Sequence, residues 1–274
     1  MLYIVARGGL QIVLAAGSIS MRTSDSHIVV VGASTRAAAF SALRAGLQPT
    51  CADLFADSDL ADCCEVTKIS GDKYPEGLEV VLRVAPAGPW TYVGALENHP
   101  DFVERIARRR PLWGNGPAVL RRVRDPFEVV ACLTRAGLPC PRVLRSIERP
   151  APVDRWLVKP FAGAGGRGVR EYSVVSTQYS ESDGRGSAPQ RHYLQQRIDG
   201  TSYAATFVAD GKRAMFLGLT EQLVGEPEFH AKPFHYCGSI GPLPTDPKTH
   251  ADLTRLGQVL AAEFGLLGLF GVDG

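Results

Sequence analysis

Trp156-Leu-Val-Lys-Pro-Phe-Ala-Gly-Ala-Gly-Gly-Arg-Gly-Val-Arg170 is an apolar run that ends in a lysine and a proline and then opens into glycine. Proline cannot continue a central strand, so Pro160 marks where the backbone leaves a sheet. Gly163, Gly165, Gly166 and Gly168 crowd into six positions. Glycines let successive N–H groups converge on an anion without obstruction by Cβ. Lys159, at the end of the strand, can bring a point charge to a phosphate. The stretch therefore reads as a phosphate cradle, or as a flexible glycine hairpin with an incidental lysine. Taken alone it leaves both open.

Working outward, the 274 residues suffice for two domains. A hydrophobic share of 45% with 21% charged residues is that of a folded protein. The formal net charge of +2 favours neither nucleic acid nor a membrane surface as partner. Six cysteines fit no zinc framework, and the adjacent Cys63-Cys64 pair suits neither metal nor disulfide geometry. A reduced, cytoplasmic protein is the expectation. Residues 1–27 read as a tail or a mis-called start, because the apolar run Leu2 to Ile19 is broken by Gly8, Gly9 and Gln11.

Upstream of the glycine stretch, Ile28 to Val31 is a β-branched run suited to a strand buried on both faces. Gly32 to Thr35 turns into a helix over Arg36 to Ala45, and a second strand is expected at Thr50 to Phe55. This is an open α/β unit without the dinucleotide fingerprint, since Gly32 lacks partner glycines at the required offsets. Short strands and turns are expected through Leu78 to Val84, and a helix over Asp101 to Arg109. Asp125-Pro126-Phe127-Glu128 carries a capping-box pattern for a further helix. Pro139 and Pro141 then stiffen a linker, which divides the chain into 28–141 and 142–274.

Downstream, residues 176–191 are polar without an apolar period and read as an exposed insertion. His192 to Ile198 reads as a strand, and Tyr203 to Ala209 with Arg213 to Leu223 as a hairpin about Asp210-Gly211. Gly225 to Pro244 is expected to be an irregular loop. Asp246-Pro247 starts a helix with a stripe of Leu253, Leu256, Val259, Leu260 and Phe264, followed by a strand from Leu266 to Val272. His230 and His235 read as solvated loop residues, and Cys237 has no catalytic partner set by sequence.

In order and spacing, Leu-Val-Lys-Pro, Gly-Ala-Gly-Gly-Arg-Gly-Val, Tyr-Leu-Gln-Gln-Arg-Ile-Asp-Gly and a late Gly-Val-Asp resemble the ATP-grasp superfamily, and within it the ATP-dependent carboligase group of carboxylate–amine ligases. The resemblance implies an α/β protein with a Rossmann-like pre-ATP-grasp domain and an ATP-grasp domain, the latter with a lid over about 156–200 and a C-terminal part from about 201. It implies ATP and magnesium as cofactors and a small carboxylate and an amine as substrates. Nucleic acid and membrane are not implied as partners, and a homodimer is left open. By the same resemblance, Lys159 contacts phosphate, and Gly163, Ala164, Gly165, Gly166 and Gly168 form the mobile loop. Arg167, by its place inside that loop, reads either as a catalytic cation reaching a phosphate or the acylphosphate, or as a solvated loop residue. Gln195, Gln196, Arg197 and Ile198 form the adenine hinge. Gln195 stands where the family carries an acidic residue, and its amide oxygen can accept the same hydrogen bond. Ser202 stands at the ribose position, and Asp273 at that of the first magnesium carboxylate. The family's further Glu-x-Asn metal motif would lie beyond Gly274, so a fragmentary or truncated ligase is expected, with a non-catalytic nucleotide-binding module as the alternative.

Overall fold

The computed structural model describes residues 26–145, 148, 155–173 and 191–274. All but the last residues of the expected tail and of the polar insertion lie outside the described residues. Two compact units separate: residues up to 121 with 208–210 and 266–270, and residues 122–207, 211–265 and 271–274.

The first unit is built on β1 (His27–Gly32), whose Ile28 to Val31 are fully buried. The chain passes through α1 (Arg36–Arg44), β2 (Gln48–Asp53), α2 (Ser58–Ala61), β3 (Glu65–Lys68), α3 (Leu78–Val84), β4 (Trp90–Val93) and α4 (Pro100–Ala107). Its four strands run parallel in the order β3-β2-β1-β4. Alternate residues of β1 serve opposite cores, as a strand covered on both faces requires. Val29 and Val31 join Leu78, Val81, Phe102 and Ile106, whereas Ile28 and Val30 join Ala39, Ala42 and Leu60.

Residues 78–84 form a helix rather than the expected short strands. Leu78, Val81 and Leu82, at helical spacing, enter the core, while Val80 and Val84 remain 55% and 78% exposed. The turn after β1 is also filled from within. Asp53 accepts from the Thr35 amide and hydroxyl, both at 2.8 Å, and from the amides of Phe55 and Ala56. The chain's own buried carboxylate therefore occupies the helix N-terminus that could have held an external anion. In the Arg108 to Arg110 run, Arg108 and Arg109 stay exposed while pairing with Glu104 and Glu79, and Arg110 donates to the carbonyls of Gly88 and Leu82.

Asn115, fully buried, accepts from the Leu267 amide at 2.9 Å and donates to its carbonyl at 3.0 Å, while its own carbonyl accepts from Tyr92 Oη at 2.7 Å. Replacing Asn115 with Ala removes both side-chain bonds. The expected loss is about 1–3 kcal/mol in chemical denaturation, whereas an exposed Asn→Ala change would leave the midpoint unmoved.

α5 (Pro117–Val123) runs across the division at 121, and the second unit continues with α6 (Pro126–Arg135), β5 (Val143–Arg145), β6 (Trp156–Pro160), β7 (Arg170–Glu171) and β8 (His192–Gln196). Asp125 caps α6 through the Phe127 amide at 2.8 Å, but Glu128 accepts from Arg122 at 3.0 Å instead of closing the capping box. The antiparallel sheet β5-β8-β6-β7 has a core face of Trp156, Val158 and Leu194. Then come β9 (Tyr203–Asp210), β10 (Ala214–Val224), β11 (Tyr236–Leu243), α7 (Pro247–Phe264) and β12 (Leu267–Asp273).

The third sheet has the order β11-β10-β9-β12. Eight residues of the span expected as irregular loop thus form the strand β11, antiparallel to β10. Its Gly238, Gly241 and Pro242 hide the strand pattern, and an edge strand tolerates such residues. Asp246 caps α7 through the amides of Lys248 and Thr249, and Gly265 ends it in the left-handed region at φ 68°.

Candidate nucleotide site

The β6–β8 register places Lys159 opposite Tyr193 and Leu157 opposite Gln195. Opposed residues of an antiparallel pair share a face, so these four side chains stand together, away from the Trp156–Val158–Leu194 core. Lys159 Nζ donates to Gln195 Oε1 at 3.1 Å. Burial pulls the Lys159 ammonium below the ordinary lysine range; the Asp273 charge opposes this and Arg124 adds to it. Tyr193 stacks edge-on with Phe161, ring centres 5.2 Å apart, and both rings lie near Phe127 of α6. This aromatic cluster fixes the strand end from which the glycine loop departs.

Arg124, just before the α6 cap, donates from Nη2 to the carbonyls of Gly163, at 3.0 Å, and Phe161, at 3.4 Å. It therefore ties the root of the glycine loop. Within the loop Gly165, Gly166 and Gly168 have φ of 60°, 77° and 78°, a region in which L side chains are strained. Arg167 donates its amide to the Ala164 carbonyl at 3.3 Å, and its side chain is exposed. The segment joining β10 to β11 lies against the loop: Tyr236 donates its amide to the Gly165 carbonyl at 3.2 Å. A Cβ on Gly166 would sit 1.7 Å from the Phe234 carbonyl oxygen.

At the end of β12, Asp273 Oδ1 accepts from Gln222 Nε2 of β10 at 2.9 Å. The Gln222 backbone N–H donates to the Ser202 carbonyl at 2.8 Å, and Tyr203 and Gly274 exchange backbone bonds. Ser202, Gln222 and Asp273 are thereby brought together. Gln222 and the loop-rooting role of Arg124 carry no sequence signal, because both depend on pairings between distant segments.

The remaining hinge residues are placed differently. Gln196 has its side chain on the core side of the sheet, where Oε1 accepts from the Arg142 amide and Nε at 3.3 Å each. The Arg197 amide is engaged by the Arg155 carbonyl at 2.8 Å and its guanidinium by Glu171. Ile198 is 65% exposed. His235 gives its carbonyl to the Gly225 amide, and His230 is exposed. Cys237 points its thiol at the His235 carbonyl.

At the strand end from which the glycine loop departs, the Lys159 ammonium feels one carboxylate, Asp273, and a second cation, Arg124, which is bonded to the loop root. That balance suits an anionic ligand such as a triphosphate. For magnesium, Asp273 is the carboxylate on hand, and among the described residues no group of three His, Cys, Asp or Glu could hold a metal ion. Magnesium is commonly held by one or two carboxylates together with nucleotide phosphates, and Asp273 fits a nucleotide-borne ion of that kind.

The family model described as an ATP-grasp domain matches residues 123–274. An ATP-grasp superfamily protein from Archaeoglobus fulgidus superposes with a TM-score of 0.57 at 16% identity, over 90% of this chain and 76% of that one. N5-carboxyaminoimidazole synthetase from Staphylococcus aureus, complexed with ADP, gives 0.63 at 14% identity over 90% of this chain. The biotin carboxylase domain of the Hydrogenobacter thermophilus 2-oxoglutarate carboxylase, in complex with MgADP, ADP and bicarbonate, gives 0.64 at 17% identity over 89%. The chain spans 66% and 60% of the lengths of these last two. No curated protein sequence matches it. Among the described residues, no helix is long and apolar enough to cross a membrane.

Proposed function

Because the chain belongs to the ATP-grasp domain family, we propose that it binds ATP on the Lys159–Gln195 face and serves the ligation of a small carboxylate to an amine. The carrying observation is the desolvated Lys159, at the strand end that leads into the glycine loop, acted on by the Asp273 carboxylate and by Arg124, which is bonded to the Gly163 carbonyl. Phosphoryl transfer asks a protein mainly for positioning and for cations on the transferred charge. Lys159 supplies that charge, and the loop from Gly163 to Gly168 covers the phosphates. Gln195 Oε1 already accepts from Lys159, and its second lone pair is left for the adenine amino group. Ser202 lies at the ribose and Arg167 at the transferred group. A magnesium ion carried on Asp273 would supply charge neutralisation to the phosphates.

The substrate carboxylate attacks the γ-phosphorus and the bond to the β-bridging oxygen breaks, releasing ADP and leaving an acylphosphate. The amine nitrogen then attacks the carbonyl carbon, expels phosphate and gives up a proton to form the amide. This is the chemistry of the carboligase group of carboxylate–amine ligases, and a cytoplasmic location agrees with six free cysteines. The second reading is a non-catalytic nucleotide-binding module, favoured by an Asp273 carboxylate already held by Gln222. Hydroxylamine trapping decides between them. ADP release with hydroxamate formation from a panel of carboxylic acids is expected, while ATP binding without either product supports the module.

A further inference from the structure

The sulfurs of Cys51 and Cys64, 13 positions apart in sequence, meet at 3.8 Å. The parallel pairing of β2 with β3 brings them together. Cys51 lies opposite Val66, and Cys64 precedes Val66 by two residues, in the turn between α2 and β3. All three side chains pack on one core, with Ile28, Val30 and Leu60. Cys51 is fully buried, Cys64 is half-buried and its neighbour Cys63 is exposed, and each is a free thiol. Spacing along the chain does not show this contact, which needs the β2–β3 register.

Two thiols that face one another have a chemistry that neither has alone, the formation of a disulfide. The bond brings its sulfurs to about 2.05 Å. Cys64 lies outside β3, after a helix of four residues, so the remaining approach falls to a turn and not to two paired strands. Access sets the order of events. An external reagent reaches half-buried Cys64 before Cys51, which is sealed in the core. Burial raises both thiols, while the hydrogen bond between them raises Cys51 and lowers Cys64, so Cys64 is the one to ionise first.

We propose that Cys51 and Cys64 form a reversible dithiol–disulfide couple, oxidised by small organic disulfides, whose bonded form ties the start of β3 to β2. The Cys64 thiolate attacks one sulfur of the small disulfide, whose S–S bond breaks and releases a first thiolate. Cys51 then gives up its proton, and its sulfur attacks Cys64 Sγ. The mixed disulfide breaks and releases a second thiolate. The two cysteines together lose two electrons and two protons, and the small disulfide gains both to become two thiols. In a reducing compartment the dithiol is the resting form, and the bond forms under oxidation. The couple is independent of the nucleotide assignment.

The experiment incubates the full chain with glutathione disulfide and alkylates the remaining thiols with iodoacetamide in denaturant. Cleavage at lysine, arginine and aspartate then separates Cys51, on peptide 45–52, from Cys63 and Cys64, on peptide 62–68. The expected product joins these two peptides without retained glutathione, forms in Cys63→Ser and is lost in Cys64→Ser. In Cys63→Ser the only thiol on the second peptide is Cys64, so the linkage there decides even if Cys64→Ser does not fold. Closing this loop restricts the unfolded chain, so the oxidised parent is expected to melt at least about 3 °C above the reduced one. Dithiothreitol should return it to the reduced value. These results together support the couple. A Cys51 that is still alkylated after oxidation, or a stable glutathione adduct on Cys64, overturns it. So does a linkage that survives Cys64→Ser, or an oxidised protein that melts no higher than the reduced one.

Discussion

Lys159→Met is expected to leave the protein folded, melting at or above the parent, while ATP affinity falls about 100-fold. The loss follows from removing a charge-assisted contact to phosphate, worth roughly 1.5–3 kcal/mol, or about 10- to 150-fold. The retained stability follows from what surrounds the ammonium. Burial and the neighbouring Arg124 disfavour its charge, Asp273 only partly offsets them, and Nζ donates its hydrogen bond to the neutral Gln195 amide oxygen. Methionine keeps the stem and discards the desolvated charge. Stability gained at the expense of function is the signature of a binding group.

The sign of the pH dependence follows. A lysine whose pKa is lowered on folding binds fewer protons in the folded state than in the unfolded one, so parent stability rises with pH through that window. The advantage of Lys159→Met is greatest near neutrality. It shrinks as pH climbs from the depressed folded value toward the ordinary 10.5. Urea denaturation at a series of pH values reads this directly, and an advantage that grows with pH contradicts the desolvation argument.

Gly166→Ala carries the second large effect. Its φ of 77° costs an alanine about 1–2 kcal/mol, and the added Cβ would stand 1.7 Å from the Phe234 carbonyl oxygen. No rotamer relieves a clash between Cβ and backbone, so the loop must leave the 234–236 segment or that segment must move. ATP affinity is expected to drop at least about 10-fold, with faster tryptic cleavage at Arg167 as the loop opens. Gly165→Ala is the internal control. Its φ of 60° brings similar strain, but a Cβ there meets nothing within 4 Å. Equal losses for the two variants would show that loop strain, and not the contact with Phe234, sets the conformation.

Much of the fold was legible because its signals are local. The β-branched run of β1, the Asp125 and Asp246 caps and the Asp210-Gly211 turn each fit one structure within a few residues. Residues 78–84 misled because Leu-Glu-Val-Val-Leu-Arg-Val is rich in β-branched residues, yet the buried set Leu78, Val81 and Leu82 has helical spacing. Tertiary packing overrides propensity in such short segments. β11 was hidden by its glycines and Pro242, which an edge position tolerates. For the site, Lys159 and the glycine loop stood out in sequence. The Gln195 contact needed the β6–β8 register, and Gln222 and Arg124 depend on partners far along the chain. Gln196 illustrates the limit: adjacent to Gln195 in sequence, it has its side chain on the opposite face of the strand, and only the alternation of β8 decides which of the two stands beside Lys159.

Calorimetric titration of ATP with magnesium into the full chain and into Lys159→Met tests the central claim most directly. Saturable one-to-one binding in the parent, weakened about 100-fold in the variant, is the predicted result. No saturable heat in the parent, or equal affinities in the two proteins, would contradict the assignment of the Lys159–Gln195 face to the nucleotide.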